Sequence, residues 1–446
     1  MKNFSMKDNL YIGFLLFALF FGAGNLIFPP TLGQLAGTNI LEGMIGFLIT
    51  SVGLPILGVT TIAKFGNLQT LTNHVHPKFS IIFTIITYLC LGPFLVIPRA
   101  GSVAFEMGAL PFLPDKFTTQ NMSLLIYTIL YFLLNFWLCL NPSKLFDRVG
   151  KILTPLILGI IVIIFVKSLL NPVGLYGDPS QKYEDNVIFK GIIDGYLTMD
   201  ALSALLFGSV VVSAIKKRGI HDSKQIAQIT IRSGIIAGIC LAIIYLTLGH
   251  LGATSHSLLN SPENGGRILT TITTQLFGNF GCILLGLVFT LACLTTSIGL
   301  ITACGQYFSK IIPCFSYKKC IGILCFTSMI LANLGLNQIN LISVPILTTI
   351  YPLTIVLIIM SFFHNYFKGY SSVYVGGLTG TALISIVEGL KQSNFKMEFI
   401  ENIYVFIPLY EAGIGWLLPA FLGSVFGYLW GGIKQNRRCE KDSIFN

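Results

Sequence analysis

The 446-residue chain is only 10% charged and 54% hydrophobic, against about a quarter charged in soluble domains. Its net charge of +10 would suit nucleic acid, but the Lys and Arg residues lie in short connections between apolar runs of spanning length, which excludes a nucleic-acid patch and a soluble domain. Many segments are apolar all round and the short alternating segments of a β-barrel are missing, so the composition predicts an all-α integral membrane protein.

Twelve spans are predicted, at 10–37, 40–63, 79–107, 121–141, 151–170, 188–214, 226–250, 268–307, 317–336, 341–363, 372–390 and 405–432. With the N-terminus inside, 20 of the 28 Lys and Arg residues fall in or beside inside connections and 7 outside, with Arg99 within a span. That bias predicts both termini in the cytoplasm. Lys2 and Lys7 ahead of the first apolar run resemble a leader, but the run continues through Pro29-Pro30 and further spans follow, so an uncleaved first span is expected. The ten cysteines form no CxxC and no His/Cys cluster, and are read as small packing residues.

The first span contains FFGAGNLIFPP, Phe20 to Pro30. Gly22 and Gly24 relax the backbone, Asn25 offers an amide, and Pro29 and Pro30 lack amide hydrogens. Unwinding at this depth frees carbonyls, which suit a small cation, and amides, which suit a carboxylate. The plain alternative is a proline kink in a packing site.

The third span contains VIPRAGSVAFEMG, with Arg99 and Glu106 seven residues apart on one helix face, roughly 10 Å apart along the axis. They are read either as an outer gate over a wet cavity or as a structural charge pair. The connection NPSKLFDRVGK after the fourth span and KKRGIHDSKQ after the sixth are read as charged anchors.

The sixth span, around GYLTMDALSALLFG, looks interrupted like the first and carries Asp200 near its midpoint. A carboxylate at the bilayer centre costs at least ~2.5 kcal/mol and usually marks an ion or substrate path. Three roles are open to it: Na⁺ ligand, proton carrier, or partner for a substrate amino group. Thr198 and Ser203 offer hydroxyls beside it. In the eighth span, LACLTTSIGL places the Ala292 carbonyl and the Thr295 and Thr296 hydroxyls within one turn, an oxygen set that Na⁺ accepts and that interhelical packing also uses. Glu388 and Glu411 lie near the ends of peripheral spans, where they reach water.

Two broken spans five helices apart predict an inverted five-plus-five repeat, 10–170 and 188–363, with a binding site between the breaks and two peripheral helices over 372–432, all in one domain of 1–446. No nucleotide-binding, serine-hydrolase or zinc-peptidase motif is present, so no enzyme is predicted and any uphill transport is expected to run on an ion gradient.

The motifs LFALFFGAGNLIFPPTLG, IPRAGSVAFEMG, NPSKLFDRVGKILTP, GYLTMDALSALLFG, LACLTTSIGL and IPLYEAGIGWLLPA occur in that order over nearly the whole chain. Together they resemble the branched-chain amino acid:cation symporters, bacterial carriers of leucine, isoleucine and valine. That family is similar in turn to the leucine-transporter-like superfamily. The resemblance implies secondary active import across the cytoplasmic membrane, driven by Na⁺ or in some members by H⁺, with no other cofactor. It implies that the amides around Gly22, Ala23, Gly24 and Asn25 meet the substrate carboxylate. The same likeness assigns Ala18, Phe21, Ala292, Thr295 and Thr296 to one Na⁺. Asp200 departs from that pattern, since the wider superfamily carries a neutral residue there. Phe20, Phe21, Leu197, Met199 and Leu202 are expected to line an apolar pocket for a branched side chain, with other neutral amino acids as alternative substrates.

Overall fold

Residues that are apolar on every side leave a backbone in hydrocarbon few ways to satisfy its polar groups, and this chain adopts helices, with no strand among the described residues. The computed structural model describes residues 6–114, 121–140, 154–259, 264–393, 404 and 406–444. Its helices are α1 (Met6–Phe20), α2 (Ala23–Ala36), α3 (Ile40–Leu48), α4 (Leu54–Phe65), α5 (Leu68–Asn73), α6 (Pro77–Leu89), α7 (Val96–Gly108), α8 (Asn121–Cys139) and α9 (Thr154–Leu170). They continue with α10 (Val187–Tyr196), α11 (Asp200–Lys217), α12 (Ser223–Thr254), α13 (Gly265–Phe277), α14 (Asn279–Ile311), α15 (Tyr317–Ala332), α16 (Leu336–Phe363), α17 (Ser371–Gln392) and α18 (Leu417–Ile444). Among the described residues, seven helical runs are long and apolar enough to cross a membrane. An eighth is added if α10 and α11, bent by 45°, form one broken span.

The two interrupted segments pack crosswise. Both α1 and α2 lie along α12, while α10 lies along α3 and α11 along α4. Hydroxyls join each pair: Ser233 Oγ donates to the Asn9 carbonyl at 3.3 Å, and Thr50 Oγ1 to the Ile192 carbonyl at 2.9 Å. Phe17, Phe21, Phe207, Phe289, Tyr245 and Tyr351 are among the largest fully buried side chains. By contrast, α8 exposes Leu130, Leu133 and Trp137, and α18 exposes Phe421, Phe426 and Trp430, the outward apolar surface a lipid-facing helix requires. Helix α17 packs on α16 and α18, and α18 on α17, which sets the last two helices at the periphery.

Two further junctions depart from regular α-helix, one a wide π turn and the other a kink. Ile49–Gly53 joins α3 to α4, where the Thr50 and Ser51 hydroxyls both donate to the Phe47 carbonyl and Pro55 supplies no N–H. Cys90–Phe94 joins α6 to α7 around Gly92 and Pro93, and Gly92 leaves the helical region.

Three expectations change. Pro29 and Pro30 lie inside α2, which runs on to Ala36; their cost is confined to the carbonyls of Asn25 and Leu26, which lose their usual donors. The predicted span 268–307 is two helices, because Gly278 adopts a left-handed φ of 61° between α13 and α14 while the apolar run continues without a gap. The predicted span 405–432 starts late: residues 406–416 form turns around Pro408, Leu409 with a φ of 65°, and Gly413, and the helix begins at Leu417. The basic connection Asn141–Lys151 lies outside the described residues.

At one end of the bundle the connection after α4 meets the end of α16. The His74 and His364 rings stand 4.7 Å apart, and His364 Nδ1 shares a hydrogen with the Tyr374 hydroxyl at 3.0 Å. Burial lowers both histidines below their ordinary value, and His364 is lowered further by His74 and Lys64 beside it. The folded state therefore disfavours the charged forms, and this joint contributes stability above pH ~6.5 that is lost as the pH falls below it. The melting temperature of the purified protein is expected to fall on acidification from pH 7.5 to 5.5, and the fall is expected to shrink in His74→Gln, a comparison that thermal unfolding in detergent measures.

Candidate functional site

The break in the first interrupted segment falls at Phe21 and Gly22, so that α1 ends and α2 begins at the same level. The amides of Ala23 and Gly24 open α2 and have no partner within their own helix. Asn25 reaches back, its Oδ1 accepting the Gly22 N–H at 3.0 Å. Its other end crosses to the second break, where Nδ2 donates to Asp200 Oδ2 at 2.7 Å. Asn25 Nδ2 also contacts the Tyr245 hydroxyl, which itself donates to Asp200 Oδ2 at 2.8 Å.

The second break occupies Leu197–Met199 and places Asp200 as the first residue of α11 rather than in mid-helix. Two features of the sequence produce it. Met199 takes a left-handed φ of 63°, which costs a non-glycine residue about 1–2 kcal/mol and which the surroundings must hold in place. Asp200 then stands in the first turn of α11, where the helix dipole favours negative charge. Thr198 Oγ1 donates to the Gly195 carbonyl at 2.9 Å and accepts the Asp200 N–H at 3.4 Å. The Tyr351 hydroxyl accepts the Ala201 N–H at 3.2 Å. Ser203 lies one turn into α11, buried, its N–H bonded to the Met199 carbonyl at 2.9 Å.

Helix α14 closes the other side. Thr296 Oγ1 donates to the Phe21 carbonyl at 3.1 Å and lies 3.3 Å from the Leu19 carbonyl. Thr295 Oγ1 donates to the Ala292 carbonyl at 2.9 Å in its own helix. Of the five predicted cation ligands, Phe21 and Thr296 meet across helices and Ala292 and Thr295 meet within one. Ala18 is buried one turn before the break, and the Leu19 carbonyl is the group that faces Thr296. In the predicted apolar pocket, Met199 and Leu202 are fully buried, Phe20 meets Phe207 edge-on at 5.7 Å and Phe21 stacks on Phe17 at 5.1 Å.

Arg99 lies at the breaks, apart from Glu106. The guanidinium is 2% exposed, donates from Nη1 to the Leu197 carbonyl at 3.1 Å, and sits 5.5 Å from the Phe28 ring centre. A Cβ on Gly24 would stand 2.7 Å from Arg99 Nη2, so the guanidinium lies against α2 in the space that this glycine leaves. Glu106 faces the Leu336 amide at the start of α16. Ion pairs between described residues join Lys182 to Asp194 and Arg218 to Asp8, and Arg99 and Glu106 form none together. Sequence reasoning missed Tyr245, which sits in the unbroken apolar run LAIIYLTLG, and did not name the Leu197 carbonyl as the partner of Arg99.

Two helices broken at one level, their freed amides and carbonyls facing buried side chains, are an arrangement that membrane transport proteins use. The solved structures agree on the fold: a nucleobase-cation-symport-1 family transporter, Mhp1, in a closed conformation with bromovinylhydantoin bound, superposes with a TM-score of 0.63 at 14% identity, over 96% of this chain and 93% of that one. MhsT in complex with L-phenylalanine gives 0.57 at 16% identity, over 95% and 98%.

Residues 5–434 match the model of the branched-chain amino acid transport protein family, and the chain belongs to that family. It is 48% identical to the branched-chain amino acid permease BraB of Bacillus subtilis (strain 168) over 95% of each chain. It is 41% identical to the branched-chain amino acid transport system 2 carrier protein of Pseudomonas aeruginosa, over 94% of each. The BrnQ permease of Escherichia coli (strain K12) is 36% identical over 95% of each. All are transport proteins, and this chain is not an enzyme.

The contact between Asn25 and Asp200 is expected to couple the two breaks energetically. In a double-mutant cycle of Asn25→Ala and Asp200→Asn, unfolding in detergent is expected to give a coupling of about 1–2 kcal/mol, whereas additive effects would mean that the bond holds nothing together.

Proposed function

We propose that the protein imports leucine, isoleucine and valine across a bacterial cytoplasmic membrane by symport with Na⁺. The observation that carries this reading is the meeting of the two breaks, Asn25 to Asp200 at 2.7 Å, beside Thr296 and the Phe21 carbonyl at 3.1 Å. The chain's family and its relatives' names support branched-chain amino acids as the substrate. The zwitterion lies between the breaks, its carboxylate on the amides of Ala23, Gly24 and Asn25, its ammonium toward Asp200, and its side chain against the apolar wall that includes Leu197, Met199 and Leu202.

The carbonyls of Phe21 and Ala292 and the hydroxyls of Thr295 and Thr296 take the Na⁺. These neutral oxygens replace part of its water without a fixed charge, so the site can release the ion on the inner side. Twelve spans, arranged as an inverted repeat of 10–170 and 188–363 with 372–432 peripheral, are supported by the crosswise packing of α1 and α2 on α12 and of α10 and α11 on α3 and α4. The Lys and Arg bias supports both termini in the cytoplasm.

A specific observation favours proton coupling as the second reading: Asp200 is a buried carboxylate with a tyrosine hydroxyl bonded to it. Labelled leucine uptake into proteoliposomes at matched membrane potential separates the two. Uptake driven by an inward Na⁺ gradient and silent to a pH gradient is expected; uptake driven by the pH gradient without Na⁺ would overturn Na⁺ coupling and make Asp200 the proton carrier. Thr296→Ala is expected to raise the Na⁺ concentration for half-maximal uptake about tenfold, the loss of roughly one hydrogen-bonding oxygen, and Asp200→Asn to abolish uptake.

A further inference from the structure

A guanidinium carries five N–H donors in a planar fork and cannot lose its charge in a protein. Removed from water it needs acceptors on several sides. Arg99 is 2% exposed, yet its hydrogen bond is to one neutral carbonyl, that of Leu197 at 3.1 Å, and its Nε is buried with no acceptor. One Nη lies against Gly24 in the first turn of α2, and the Phe28 ring lies 5.5 Å away. The opposite charge in the neighbourhood, Asp200, lies within Coulombic range of Arg99 but forms no ion pair with it. Asp200 instead spends one carboxylate oxygen on Asn25 and Tyr245. A buried guanidinium and a buried carboxyl group thus stand at the breaks with no ion pair between them.

We infer that Arg99 is the receptor for the substrate's α-carboxylate. The inference rests on the reading that an α-amino acid binds between the breaks, and it names the group that recognises the acid end. A carboxylate is planar, carries a full negative charge and accepts along two parallel directions, which is the complement of the fork. The amides of Ala23 and Gly24, at the positive end of α2, approach the same place from the Gly24 side. A carboxylate there supplies the acceptor that Nε lacks, while Asp200 takes the ammonium group. The substrate is then read at both charged ends by fixed side chains, and an uncharged acid end leaves the buried guanidinium unanswered. Leu197 gains a second use: its carbonyl holds the fork in position before substrate arrives.

The test is binding of labelled leucine to the purified full-length protein in detergent, with unlabelled leucine and leucinamide as competitors. Wild type is expected to prefer leucine over leucinamide by at least ~100-fold, the discrimination a buried polar site imposes when its partner is removed. Arg99→Gln is expected to weaken leucine and leave leucinamide nearly unchanged, so that the preference falls at least ~10-fold, and Arg99→Lys to recover part of it. An unchanged preference in Arg99→Gln would overturn the inference, since a guanidinium that only braces the break weakens both competitors alike. Equal binding of leucine and leucinamide by wild type would overturn it without any variant, which covers an Arg99→Gln protein that does not fold. A wild type that binds no branched-chain amino acid would instead overturn the proposed function itself.

Discussion

The bond from Asn25 to Asp200 is the constraint on which the site depends, because it joins two defects that neither helix could sustain alone. An interrupted helix in hydrocarbon leaves amides and carbonyls unpaired, each at a cost of several kcal/mol. Asn25 answers one amide of its own segment through Oδ1 and passes its Nδ2 to the other segment, 175 residues away. Tyr245 reaches the same carboxylate oxygen from α12. The asparagine amide suits this post because it donates and accepts at once. Neither Asp nor Leu at position 25 could do both.

The helices around the breaks divide into those that hold the contact and those that stand away from it. Helices α12, α3 and α4 flank the broken segments along their length, with hydroxyl bonds from Ser233 and Thr50. Helix α14 touches the first break through Thr296, at the carbonyls that end α1. A movement of α14 relative to α1 therefore changes the oxygen cage directly. Helices α17 and α18 have no such contact and expose large apolar side chains. The chemistry is thus concentrated where backbone is irregular, and regular helix supplies the frame.

Much of this was legible in the residues. Gly22 and Gly24 announced the first interruption, and Asp200 stood out because a carboxylate in an apolar run needs a reason. The level of the interruptions was not legible to the residue: hydropathy put Asp200 in mid-span, whereas Met199 in a left-handed conformation makes it the start of a helix. Pro29 and Pro30 also misled, since a helix already begun at Ala23 can absorb them. Gly278 was lost in a continuous apolar run. Tyr245 and the position of Arg99 are tertiary facts. A tyrosine in a membrane helix has no pattern that tells where its hydroxyl points, and helical spacing grouped Arg99 with Glu106 although its partners come from α2 and the second break.

The wide turn at Ile49–Gly53 and the kink at Gly92 and Pro93 bear on where the helices around the breaks are aimed. A wide turn holds one residue more than the α-helical count. That extra residue rotates everything beyond it by about 100°. Ile49–Gly53 lies between the halves of the helix that grips α10, and Cys90–Phe94 lies just before the stretch that carries Arg99. The helix that grips α10 therefore presents a different face on either side of Ile49–Gly53, and α7 sets off from α6 on a new heading that brings Arg99 to the breaks, each by a local change in the helix instead of an unfolded stretch.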